Sequence, residues 1–164
     1  MNRNPKLTII GTCDVTIETA QVIPSREEVN RVFDQGEGVD DLLDETFHEN
    51  NWKQSPVCKP IVPGSRELVL VKFDQMLTRT ECIEEMQKHG LHPALPSDAW
   101  AFAKDQKEKG ATHLAMILVF GADILYECAL YTAWLYRTTK HTYRFSLIGF
   151  DKPFSEKTLY LAVK

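Results

Sequence analysis

The chain lacks long apolar runs, has only four cysteines, and spreads its eight glycines along the sequence, with only Gly36 and Gly38 close together. Each shortage excludes something. A membrane-spanning helix needs about 20 consecutive apolar residues, whereas the longest candidate, residues 114–136, is broken by Gly121, Asp123 and Glu127. The N-terminal "MNRNPKLTIIGTCDV" has neither a long apolar core nor a small-residue cleavage site, so no secretory signal is expected. Cys13, Cys58, Cys82 and Cys128 form no C-x-x-C, which fits four reduced thiols in a cytoplasmic protein. The scattered glycines build no phosphate-cradling loop, no G-x-G-x-x-G and no G-x-S-x-G, and H-E-x-x-H is also missing. No cofactor is expected.

What is there is an ordinary globular composition, with 43% hydrophobic and 26% charged residues in 164. One domain over residues 1–164 is the simplest organisation. The net charge of −4 argues against non-specific nucleic-acid binding. The charge is uneven: Arg26 to Glu49 holds nine acids and two bases, Arg137 to Lys164 six bases and two acids.

Local patterns mark the elements. "KLTIIGT" (6–12) reads as a strand ending at Gly11, and Ser25 with Glu28 forms a capping box for a helix stopped by Gly36. "VDDLLDETF" reads as an acidic amphipathic helix, and residues 48–65, with three prolines, as an irregular connection pinned by Trp52. "ELVLVKF" (67–73) is a strand. Thr78 and Glu81 cap a helix closed by Gly90; Pro96 and Asp98 start another that ends at Gly110. "LAMILVF" (114–120) is a fully apolar strand, while "DILYECALYTAWLYR" reads as one or two strands with a helix still open. "YRFSLIGF" and "TLYLAVK" complete a β-meander. The expected class is α+β: helices mainly in the first two thirds, packed on a C-terminal antiparallel sheet. In that picture residues 1–65 are a variable N-terminal part, and 66–164 a helix pair plus meander. Helices 78–89 and 96–109 lie on the face of a sheet formed by 114–164.

Chemistry-bearing constellations are sparse. His89 and His92 could pair on a metal only if one helix carried both, and Gly90 and Pro93 break that helix. The acids Asp40, Asp41, Asp44 and Glu45 lack calcium-loop spacing and read as a solvated face. Glu127 in an apolar run, His113, and Cys58 beside Lys59 are the residues on which a small enzyme would rest.

"MLTRTECIEEMQKHGLHPALPSDAWAFAKDQ", "LAMILVFGA" and the terminal "LYLAVK" together resemble a widespread set of uncharacterised bacterial proteins, over roughly residues 68–164. Their pattern is a helix ending in glycine, R-P-A-T-x-x-E-L-L-A-F, a strand with a small-residue end, and a terminal F-L-A-V-R. His92, Pro93, Ala94, Asp98, Trp100, Ala101 and Phe102 fall on that pattern, followed by Gly121 and Tyr160 to Lys164. His92 and Lys164 stand where the pattern has arginine. The company such families keep suggests an accessory protein of a mobile element. "LPSDAWAFA" (95–103) is more distantly similar to L-P-T-E-A-E-W-E-Y-A of the formylglycine-generating and C-type-lectin-like fold. It is one residue shorter, which turns Trp100 by about 100°, and the C-terminal cysteine pair of the oxidases is missing.

These readings favour a non-enzymatic domain that binds an unknown protein or small ligand, with a small enzyme as the alternative. Trp100 is expected to be scaffold. The candidate partner surface is Tyr131, Trp134, Tyr136, Arg137, Tyr143 and Arg144, because Tyr, Trp and Arg dominate interface hot spots.

Overall fold

The computed structural model describes residues 4–32, 44–109, 116–126, 128–137, 143–149 and 153–164. Its strands are β1 (Leu7–Ile17), β2 (Trp52–Gln54), β3 (Gly64–Phe73), β4 (His92–Pro93), β5 (Met116–Tyr126), β6 (Ala129–Arg137), β7 (Tyr143–Gly149) and β8 (Leu159–Val163). The helices are α1 (Arg26–Val32), α2 (Arg79–Lys88) and α3 (Pro96–Glu108). All strands join one sheet with the order β1-β3-β8-β5-β6-β7; β2 pairs with β5 and β4 with β8.

This overturns the expected class. The sheet begins at Leu7 rather than after the helices, and it is mixed: β8 runs antiparallel to β3 but parallel to β5. Residues 114–164 are therefore no simple meander, because the chain returns from the β7 edge to place β8 at the centre. All five residues of β8 are buried. A strand that apolar on both faces belongs inside a sheet, not at its end. Nor do the helices form a layer on a C-terminal sheet. Cys82, Ile83 and Met86 of α2 join Val69, Val71, Phe73, Leu118 and Tyr160. Ala99, Trp100, Phe102 and Ala103 of α3 join Leu68, Leu70, Ile117, Leu135 and Leu161. Since alternate strand residues face opposite ways, these are the two faces of one sheet. Trp100 is core, as expected.

The local signals explain most elements. The Ser25 hydroxyl accepts from the Glu28 amide at 3.2 Å, and Glu28 Oε2 accepts from the Ser25 amide at 3.0 Å. Thr78 and Glu81 make the same reciprocal pair, and Gly90 ends the turn after α2 at φ +70°. "DILYECALYTAWLYR" is two strands, β5 and β6, joined around Cys128 at φ 65°. Gly36, Gly110 and most of the expected acidic helix lie outside the described residues; Asp44–Phe47 is a 3₁₀ turn. The 48–65 connection is more ordered than its prolines suggest. Trp52 pairs with Ile124 and donates Nε1–H to the Thr46 carbonyl at 2.7 Å.

Two strands depart from regular geometry. The β1–β3 register shifts between Ile9 and Gly11, so Gly11 marks a bulge and not a strand end. Leu7 and Ile9 pair with Phe73 and Val71 of the α2 face, whereas Gly11 and Cys13 pair with Leu70 and Leu68 of the α3 face. One extra residue, Ile10, thus turns the rest of β1 toward α3. In β5, Gly121 donates to the Ala94 carbonyl at 2.7 Å, and a Cβ there would lie 2.3 Å from that oxygen. Only glycine permits this approach.

Candidate binding surfaces

The expected aromatic surface is divided by the pleat. Trp134 and Tyr136 stack with centroids 4.8 Å apart and planes inclined by 30°. Trp134 packs against the α2-face cluster, but Tyr131 packs against the α3-face cluster. Tyr131 therefore does not share a surface with the stacked pair. In the backbone register Arg144 is the partner of Tyr136, and Tyr143 the partner of Arg137. The Trp134 Nε1–H is buried and has no hydrogen-bond partner among the described residues.

Of the enzymatic candidates only Cys58 lies among the described residues. Glu127 and His113 lie outside the described residues. Cys58 is half-buried; burial pushes its thiol upward in pKa, and Sγ donates to the Ser55 carbonyl at 2.9 Å. A raised pKa keeps the thiol protonated and poorly nucleophilic. His89 Nδ1 meets the Glu85 carbonyl at 2.9 Å and His92 Nδ1 the Val57 carbonyl at 2.8 Å, so the two rings serve different segments.

Between β1, β3 and α3 lies a cleft of about 380 Å³. Leu68 and Leu70 form its floor, Phe102 and Gln106 one wall, and Ile10, Gly11, Thr12 and Cys13 the other. The bulge shapes that second wall by setting Gly11 and Cys13 opposite Leu70 and Leu68; Ile10 remains 47% exposed. A Cβ added to Gly11 would meet nothing within 4 Å. Phe102 and Gln106 are four residues apart on α3 and so share a face. A neighbouring depression of about 200 Å³ continues along the same two elements, past Asp14, Val15, Thr16 and Glu18 and past Ala101, Lys104, Asp105 and Glu108. Burial, followed by the nearby Asp105 carboxylate, pushes the Cys13 thiol up to about 11.

Beneath α3 is an ion pair. Arg66 Nε lies 2.7 Å from Asp98 Oδ1, with side chains 8% and 0% exposed. Asp98 Oδ2 also accepts from the Leu95 amide at 2.8 Å, while Arg66 donates to the carbonyls of Pro60 at 2.8 Å and Lys59 at 3.2 Å. The pair ties the backbone at Lys59 and Pro60, β3 and the start of α3 together. Asp98 was legible as a first-turn acid; its partner, 32 residues earlier, had no sequence signal.

No family model matches the chain, and neither a curated protein nor a solved structure shows significant similarity to it.

Proposed function

We propose that this chain is a non-catalytic binding domain and that the β1–α3 cleft is its ligand site. The cleft carries the reading. Its 380 Å³ lies in the range of small-molecule sites, and its lining is mainly apolar with a few polar groups at Thr12, Cys13 and Gln106. Leu68, Leu70 and Phe102 belong to the buried core, a placement that favours a pre-formed site and a lower entropic cost of binding. A cytoplasmic setting accords with four free cysteines. Among the described residues no helix is long and apolar enough to cross a membrane.

Fluorescence titration with the neutral apolar dye Nile red tests this. Saturable binding to the native chain, abolished by Gly11→Leu with an unchanged melting midpoint, is the expected result. Absent binding, or binding that survives the substitution, overturns it.

A second contact surface is supported by the stacked Trp134–Tyr136 pair, whose Trp134 Nε1–H has no hydrogen-bond partner among the described residues. With Arg137 and Arg144 adjacent in sequence or register, it suits an acidic or aromatic macromolecular partner. Replacing both arginines with alanine weakens binding to any identified partner and leaves stability nearly unchanged. Unfolding, or unaltered binding, would mark the patch as structural.

A further inference from the structure

β1 is an 11-residue strand at the end of the sheet order, paired only with β3 among the described residues. An open strand edge presents a row of unpaired backbone N–H and C=O groups that another extended chain can complete. Sheets manage this hazard with short edge strands, charges or coverage. Here the edge is long, and Ile9 and Ile10 beside it are 56% and 47% exposed. Natural strand-addition sites combine such an edge with a pocket for alternate side chains. The cleft opens directly beside the Ile10–Cys13 part of this edge.

Electrostatics narrow the occupant. The cleft itself is lined by no charged residue. The depression that continues from it has four carboxylates, Asp14, Glu18, Asp105 and Glu108, against Lys104. Lys104 is 3.1 Å from Glu18, and Lys109 is 2.8 Å from Asp105. Asp14 and Glu108 are exposed and form no ion pair among the described residues. The unbalanced charge is negative.

From these observations we infer that the β1 edge and the β1–α3 groove together take an extended peptide that adds as a strand. One large apolar side chain enters the cleft at Gly11–Cys13, and a Lys or Arg two residues away meets Asp14 and Glu108. This rests on the cleft being a ligand site and adds the class of ligand. The spacing follows from strand geometry: residues two apart share a face and sit about 6.7 Å apart, which carries the second side chain from the cleft into the acidic depression. Backbone pairing supplies sequence-independent affinity, the cleft selects size and hydrophobicity, and the acids select charge.

Phage-displayed random nonapeptides panned on the full chain, with Gly11→Leu protein as counter-selection, test the inference. Enriched peptides should share a large apolar residue with Lys or Arg two positions away. By fluorescence polarisation, a synthetic enriched peptide should lose at least tenfold in affinity when alternate backbone amides are N-methylated. Asp14→Lys with Glu108→Lys should cost three- to tenfold, and the loss should shrink at high salt. Nile red binding with no peptide enrichment would overturn the peptide inference while leaving the cleft reading intact; loss of both would remove both. Peptides that tolerate N-methylation, or that carry acids at the second position, would also overturn it. So would a dimer, detected by sedimentation, that Thr12→Pro in β1 dissociates, because the edge would then belong to a second copy.

Discussion

Replacing Asp98 with alanine strands the Arg66 guanidinium inside the protein. Asp98 is fully buried and Arg66 almost so, so water cannot take over the lost contact. Breaking a buried ion pair by removing one partner costs about 3–5 kcal/mol. Asp98→Ala also removes the acceptor for the Leu95 amide at the start of α3, a further ~1 kcal/mol. For a chain of this size the melting midpoint should fall by roughly 10 °C or more. Arg66→Met should cost a similar amount, since Asp98 is then buried alone and the Pro60 and Lys59 carbonyls lose their donor. The double variant should cost less than the sum by about 1–3 kcal/mol, because neither charge is left without its partner. pH provides an independent readout. Burial raises the Asp98 pKa above the ordinary carboxylate value, opposed by the Arg66 charge. A carboxyl raised in the folded state binds its proton more tightly there. Its favourable contribution is present at low pH and is lost as pH rises through the folded value. Arg66→Met removes the opposing charge and widens that window, so its penalty should be smaller at pH 4 than at pH 7. Urea denaturation of the wild type, both single variants and the double variant at the two pH values measures the free energies, and thermal melts the midpoints. A coupling energy below about 0.5 kcal/mol, with a pH-independent Arg66→Met penalty, would refute the account of a desolvated, interacting pair.

Gly121→Ala should destabilise by about 2 kcal/mol or more in urea denaturation, because its Cβ would meet backbone atoms of Ala94 at 2.3 and 2.7 Å; a neutral result would mean that β5 and the 94–95 segment move apart freely. Gly90→Ala should cost about 1–2 kcal/mol, since φ is +70° and the space around it is open, so the loss reflects backbone conformation alone. Thiol titration under denaturing, non-reducing conditions should count four cysteines; a count of zero or two would indicate disulfides. In the native protein Cys128, which is exposed, should react first, and Cys82, buried and pushed up to about 12, last; early modification of Cys82 would show that α2 opens readily.

Local structure was largely written in the sequence because it depends on neighbours a few residues apart. The capping residues Ser25–Glu28 and Thr78–Glu81, the glycine stop after α2 and the strands at 67–73 and 159–163 are of this kind. The stacked Trp134–Tyr136 pair also follows from strand periodicity. What no local pattern carries is which strand lies beside which. "LYLAV" is equally apolar as the last strand of a meander or the central strand of a mixed sheet; only pairing with both β3 and β5 placed it at the centre and divided α2 and α3 between the two faces. The cleft has the same origin. Its walls join residues 10–13, 68–70 and 102–106, and Gly11 and Cys13 stand opposite Leu70 and Leu68 only because the β1–β3 register slips by one residue, an event that depends on the partner strand. Arg66 meets Asp98 for the same reason: a buried charge finds its partner in three dimensions, and the distance along the chain does not constrain the choice.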